Sequence, residues 1–314
     1  MKAYILKNTG WIENLVLQDI PTPTPAAGEV VIETKAISIN PVDAKVRANT
    51  AVLSMICGVE SDVILWRDVA WVVTAVWDDV TEYAIWDKVF GMVNFPWVGN
   101  AYATHIAAPA AHITKIPANT SYPQAAASTL AALTALQALQ WNVKQWDRVL
   151  IHAWSGWVGH FAIQIAKHLG AHVITTCSAA NRDFVLWLWA DKHIDYRETA
   201  FETEVSDIDF VLDTLGGENI EKCLLVTKKW GKVISLPAPV PEETQASAQE
   251  KEINASFMLV TSDKTDIETI ADYLEKWIIT PHLSQTFDFD DMWEAHVAIE
   301  SWRTVGKIVV KSLV

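Results

Sequence analysis

The chain has 314 residues, a net charge of −14, and hydrophobic side chains at 51% of positions. That length suggests about two domains with a full core, and the hydrophobic content excludes a disordered chain. The negative charge argues against nucleic acid or an anionic membrane as partner. The three cysteines, Cys57, Cys177 and Cys223, are too scattered for a disulfide framework or a four-thiolate zinc site, and they fit a reducing cytoplasm.

In chain order, the N-terminal MKAYILKNTG lacks an apolar signal core. Strand-like runs at 2–6, 30–39, 69–76 and 89–93 are separated by turn-forming segments, which predicts a β-rich region over residues 1–110. A long helix is expected over 122–141, after Ser121 and Pro123. Its apolar part, 125–139, is interrupted by Ser128, Thr129, Thr134 and Gln137, and is too short and polar to span a bilayer.

From residue 149 strands and helices alternate. Strands are expected at 149–152, 173–176, 193–196, 210–213, 232–236 and 256–260, the pattern of a parallel, doubly wound sheet. The stretch RVLIHAWSGWVGHFAIQIAKHLGAHVITTC carries the first βαβ unit, with Gly156 and Gly159 at the turn into the helix. Such a turn offers backbone N–H groups and a helix N-terminus to a pyrophosphate. Residues 236–254 read as a polar, Pro-containing loop, 266–277 as an amphipathic helix, and 304–313 as a strand able to rejoin the N-terminal region.

Several segments together carry a resemblance: GEVVIETKAISINPVDAKVR, DKVFG, YATHIAAPAAHITKIP, AALTALQAL, DRVLIHAWSGWVGHFAIQIAKHLGA, HIDY, VLDTLGG, GKVISL and VGKIVV. Over nearly its whole length the chain resembles the medium-chain dehydrogenase/reductase superfamily, and within it the zinc-independent quinone oxidoreductases. The resemblance implies an α/β fold: a Rossmann doubly wound parallel sheet at 122–261 that binds NADPH, and a β-rich, GroES-like catalytic domain at 1–121 and 262–314. It further implies hydride transfer to a quinone or similar electron-poor small molecule. Family members are commonly homodimers or homotetramers.

Zinc enzymes of the superfamily place a cysteine where this chain reads SINPVD, from Ser38 to Asp43, which offers no soft ligand. No histidine pair has metal-site spacing, since Gly170 interrupts the helix between His168 and His172. Metal-free chemistry is therefore expected. The loose turn motif is Ala153–Gly156–Gly159, with Ser155 inside it. At the end of the second strand, TTCSAANRD places Ser178 and Arg182 where NAD-preferring sites carry an acid, and Tyr196 matches a tyrosine that the family sets beside the 2′-phosphate. By the resemblance, Asn40 and Asp43 face the nicotinamide and Thr134 lies under it. Val158, Gly216, Ser235 and Leu236 complete the cofactor's surroundings. Lys45 and Val46 stand where relatives often carry a tyrosine, so no general acid is assigned. An enoyl or alkenal reductase of the same superfamily is the alternative.

The composition has one further signature. Glycine numbers 12, against roughly 22 at average usage, while tryptophan numbers 16. Trp71, Trp77, Trp86, Trp146, Trp154, Trp157, Trp189, Trp230 and Trp302 occupy places where related proteins usually have glycine. If those backbones hold positive φ, each bulky residue stores about 1–3 kcal/mol of strain. Trp154 and Trp157 fall in the cofactor turn, which leaves open a cofactor-impaired, non-catalytic variant of the fold.

Overall fold

A computed structural model describes residues 1–152, 157–301 and 303–312. The chain forms two compact units, Met1–Leu133 with Val260–Val314, and Thr134–Leu259. In the first unit β1 (Lys2–Leu6) pairs with β2 (Leu15–Asp19). The long β3 (Glu29–Ile39) is almost wholly buried, as its run of Val, Ile and Ala predicts. It leads into α1 (Pro41–Ala48), which starts with Pro41 at the first helical position, and where the Asp43 carboxylate accepts from the Asn40 backbone N–H at 2.8 Å. Then comes α2 (Thr50–Cys57), capped at its start by the Asn49 side chain and ended by Gly58 at φ 69°.

Next follow β4 (Val63–Ile64), β5 (Asp68–Val76), β6 (Lys88–Met92), β7 (His105–Pro109), β8 (Ile113–Lys115) and α3 (Tyr122–Ala127). The helix expected over 122–141 is two helices, the second being α4 (Leu130–Leu139). The hydroxyls of Ser128 and Thr129 bond back to the carbonyls of Gln124 and Ala126 and interrupt the run. The units divide within α4, at 133/134, and again at 259/260, where the sequence suggested 121/122 and 261/262. Helix α3 packs on β3 and β5, which is why it belongs with the first unit.

The second unit contains β9 (Arg148–Ile151), α5 (Gly159–His168), β10 (His172–Cys177), α6 (Arg182–Trp187), β11 (Lys192–Asp195), β12 (Ile208–Asp213), α7 (Glu218–Val226), β13 (Thr227–Ser235), α8 (Glu242–Glu250) and β14 (Asn254–Phe257). Its six strands run parallel in the order β11-β10-β9-β12-β13-β14. That is the doubly wound Rossmann order, which reverses direction between β9 and β12. Leu150, Ile174, Val211 and Val233 form the apolar centre with Ile220 and Leu224 of α7. The segment read as a loop at 236–254 holds α8, whose polar surface gives little hydrophobic periodicity to find.

The chain then returns to the first unit through α9 (Lys264–Glu275), β15 (Leu283–Asp288), α10 (Met292–Glu300) and β16 (Lys307–Lys311). Strand β16 lies between β15 and β3 in the order β15-β16-β3-β5-β6-β8, with β7 also paired to β3. The fold is thus a Rossmann sheet plus a β-rich GroES-like unit.

Among the described residues, six tryptophans have left-handed backbones: Trp66, Trp86, Trp146, Trp189, Trp230 and Trp277, with φ between 58° and 86°. Four of them were expected to be glycine positions; Trp66 and Trp277 are additions. Trp71 instead lies in the extended, buried β5. The buried indole N–H groups of Trp66 and Trp71 have no acceptor among the described residues. Trp146 is 80% exposed and has little packing to offset its strain. Trp146→Gly is therefore expected to raise stability by about 1 kcal/mol, read as a higher urea midpoint at unchanged slope. A lower midpoint would show that indole contacts outweigh the strain.

Two buried histidines make a second prediction. Burial holds His152 and His296 down to about 3, against an ordinary value of 6.5. The unfolded chain therefore takes up the protons first. Stability is fully present above about pH 6.5 and is lost as pH falls towards 3. The urea midpoint should drop between pH 7 and pH 5, and drop less in His296→Gln, whose amide can still meet the Tyr102 hydroxyl. An equal drop in both proteins would remove His296 from the account.

Candidate active site

In the second unit, the described residues singled out from the sequence, Thr134 apart, lie just beyond the C-terminal ends of the parallel strands, the edge where doubly wound sheets bind ligands. Strand β9 ends at Ile151, and His152 follows it. The expected turn residues Ala153, Ser155 and Gly156, with Trp154, lie outside the described residues. Trp157 is partly buried, Val158 is the last residue before α5, and Gly159 is its buried first residue. The Val158 carbonyl accepts from the backbone N–H groups of Phe161 and Ala162 and so begins the helix. Thr134 is buried on α4.

Beyond β10, Ser178 is partly buried and Arg182, which opens α6, is exposed. Tyr196 follows β11, and its backbone N–H donates to the Cys177 carbonyl, which brings it beside Ser178. Its ring is exposed and stacks with the Arg197 guanidinium at 5.6 Å. An acid does stand here. Asp195, at the end of β11, accepts from Ala179 N at 2.7 Å and Arg197 N at 2.9 Å, and these bonds hold its carboxyl below the usual carboxylate range. Sequence reading missed Asp195 and Arg197. HIDYR contains both, but only strand pairing brings them to the Ser178 turn.

At the ends of β12 and β13, the Asp213 carboxylate organises the backbone. It accepts from Leu215 N, Gly216 N and the Asn219 amide. Gly216 has φ 74°, and a Cβ there would stand 3.4 Å from Pro237. Ser235 is buried and donates to the Ala238 carbonyl, while Leu236 is partly buried beside it, its N–H bonded to the Asp213 carbonyl.

In the first unit, Asn40 and Asp43 are fully buried. Asn40 Nδ2 donates to Asp68 Oδ2 at 2.6 Å, and Lys307 Nζ donates to Asn40 Oδ1. Burial pushes Asp43 well above the ordinary carboxylate value. Its Oδ2 lies 3.4 Å from the Tyr102 hydroxyl, which is 2.9 Å from His296 Nε2. Arg47, also buried, donates to Glu300 and to the Gly10 carbonyl. Asp68, Tyr102, His296 and Lys307 were not foreseen. One available signal was a charged residue opening an otherwise apolar strand, as in DVAWVV and KIVV. Ser38 donates to the Ile308 carbonyl. Among the described residues, no group of three or more His, Cys, Asp or Glu side chains is placed to hold a metal ion, and no helix is long and apolar enough to cross a membrane.

Comparison with known proteins places this geometry. A zinc-binding dehydrogenase family model matches residues 188–310. NAD(P)H oxidoreductase RTN4IP1, mitochondrial, of Mus musculus is 27% identical, covering 99% of this chain and 89% of that protein. The quinone oxidoreductase structure from Coxiella burnetii is 32% identical with a TM-score of 0.92, covering 99% of both chains. The Escherichia coli quinone oxidoreductase complexed with NADPH has the same fold, with 23% identity, a TM-score of 0.88, and coverage of 99% and 100%. The expectation of a cytoplasmic protein does not stand. It rested on cysteine usage and the lack of an apolar leader, whereas the similar mouse, cattle, human and zebrafish (Danio rerio) proteins are all mitochondrial by name. On the strength of the full-length match to the Coxiella structure, the chain belongs to the quinone oxidoreductase-like branch of the medium-chain dehydrogenase/reductase superfamily, an oxidoreductase using a nicotinamide cofactor and a small-molecule substrate.

Proposed function

We propose that the chain is an NADPH-dependent, zinc-free reductase that transfers a hydride to a quinone or similar electron-poor acceptor. The observation that carries the choice of NADPH is the rim beyond β10 and β11. Ser178 brings a hydroxyl, and Arg182 and the Arg197–Tyr196 pair bring exposed cations; of the acids there, Asp195 is engaged by backbone N–H groups and Asp183, next to Arg182, offsets the cations only in part. An NAD ribose is normally held by a free carboxylate at this point, and a 2′-phosphate by cations and hydroxyls. These residues fit a phosphate.

In this reading NADPH supplies the hydride when bound. Ser178, Arg182 and Tyr196 hold its 2′-phosphate. Val158 and Gly159 begin the helix that faces the pyrophosphate, with Ala153, Ser155 and Gly156 assigned to the same turn. Thr134, Gly216, Ser235 and Leu236 are assigned to the nicotinamide surroundings, and the missing Cβ of Gly216 keeps that backbone turn accessible. Asn40 orients the reacting groups. Asp43 fixes the Asn40 backbone and the start of α1. The zinc-free assignment rests on donor chemistry: SINPVD has no thiol or imidazole, and its Ser38 hydroxyl and Asn40 amide are already committed within the unit.

NADPH fluorescence should rise on mixing, with micromolar affinity. Arg182→Ala is expected to weaken NADPH binding about tenfold and leave NADH binding nearly unchanged; equal losses for both would overturn the 2′-phosphate assignment. Turnover with 1,4-benzoquinone and with 2-hexenal identifies the acceptor, and faster reduction of the alkenal would sink the quinone reading.

A further inference from the structure

The amide of Asn40 stands between two opposite charges in a fully buried setting. Lys307 Nζ donates to its Oδ1, and its Nδ2 donates to Asp68 Oδ2 at 2.6 Å. Lys307 Nζ also stands 4.0 Å from Asp68 Oδ2. An ammonium only donates and a carboxylate only accepts. The amide therefore has one orientation, oxygen towards Lys307 and nitrogen towards Asp68. The three residues come from neighbouring strands: Asn40 follows β3, Asp68 opens β5 and Lys307 opens β16. Asp68 Oδ1 is itself fixed by Leu130 N at 3.2 Å.

Stability gives no sufficient reason for this pair. A buried ion pair is often no better than well-packed apolar residues of the same volume, because desolvating both charges offsets their attraction. What the two charges do together is orient one amide. We propose that Lys307 and Asp68 are positioning residues for the reduction, locking the Asn40 side chain in the single orientation that hydride transfer uses. This rests on the reading of Asn40 as a site residue.

The cluster is also poised to respond to pH. Burial lowers Lys307 to about 8, while Asp68 from β5 and Asp43 from α1 oppose the shift; Arg67, next to Asp68 in the chain, acts on Asp43 in turn. Above about pH 8 Lys307 loses its proton, and a neutral amine can accept as well as donate. The single orientation is then no longer enforced, so turnover should fall on the alkaline side.

The test is steady-state reduction of 1,4-benzoquinone by NADPH in the full-length protein. Lys307→Met is expected to lower kcat about 10- to 100-fold with little change in KM for NADPH, and to abolish the alkaline limb near pH 8. In an Asn40→Ala background, Lys307→Met should cost nothing further, because both act through one amide. Asp68→Asn should lower kcat in the same sense. If Lys307→Met does not fold, the limb itself decides: it should be present in the unaltered protein and absent in Asn40→Ala. Undiminished kcat in folded Lys307→Met, an additive loss in the double variant, or a limb that persists in Asn40→Ala overturns the positioning role. Full turnover by Asn40→Ala alone overturns instead the assignment of Asn40 to the site, and takes the inference with it.

Discussion

A buried ammonium and a buried carboxylate must be surrounded by partners or not be charged at all. Lys307 and Asp68 are both without solvent exposure, and their partners come from distant parts of the chain: Asn40 after β3, Leu130 at the start of α4, and Lys307 on the last strand. The first unit is discontinuous, and this cluster joins its two chain segments. Its central strand β3 has β5 on one side and β16 on the other, and its polar heart is complete only when the C-terminal segment has returned. The Tyr102–His296 contact and the Arg47–Glu300 pair repeat the pattern, each joining an early residue to α10. Here the polar residues nearest the proposed chemistry are also core residues.

The second unit is arranged on the opposite principle. Its centre is apolar, from Leu150 and Ile174 to Val233, and its polar groups are at the strand ends. Asp213 at the end of β12 and Asp195 at the end of β11 spend their oxygens mainly on backbone N–H groups and so shape the turns. Arg182, Tyr196 and Arg197 are exposed side chains at that rim. An apolar sheet can present such a rim without paired buried charges, because parallel strands under helices already satisfy their backbone groups.

The contrast explains what was legible in the sequence. Alternation of apolar strands and helices exposed the Rossmann unit from residue 149, and 304–313 was readable as a returning strand because KIVVK follows a glycine. Local pattern at the strand ends also pointed to Ser178 and Arg182, whereas Gly216 came from the family resemblance. Lys307, Asp68, Tyr102 and His296 were not visible, because their meaning lies in contacts between residues up to 267 positions apart. The break at Ser128–Thr129 was hidden for a different reason. A hydroxyl inside an Ala-rich run is compatible with a continuous helix until its bond to the preceding turn is seen. Helix α8 was hidden because its residues are mostly polar, and periodicity then carries no signal.

The tryptophans show how far tertiary structure can override local preference. Trp86, Trp146, Trp189, Trp230 and Trp277 are exposed and hold backbones that favour glycine. In each of the first four a backbone N–H is engaged from the turn itself: Trp86 to Val73, Trp146 to Gly170, Trp189 to Leu186 and Trp230 to Glu252. The neighbouring strands and helices fix these turns, and the indoles are carried into solvent. Strain of about 1–3 kcal/mol at each position lies at connections and, for Trp230, at the irregular start of β13, where it lowers stability without changing which strands pair. Trp66 differs. Its backbone is left-handed and its ring is buried against Tyr102 and the Arg67 guanidinium, one residue before Asp68. Trp86 and Trp277 share the unit that holds the Asn40 cluster, but Trp66 is the buried one of the six, and its ring contacts Arg67, the residue before Asp68.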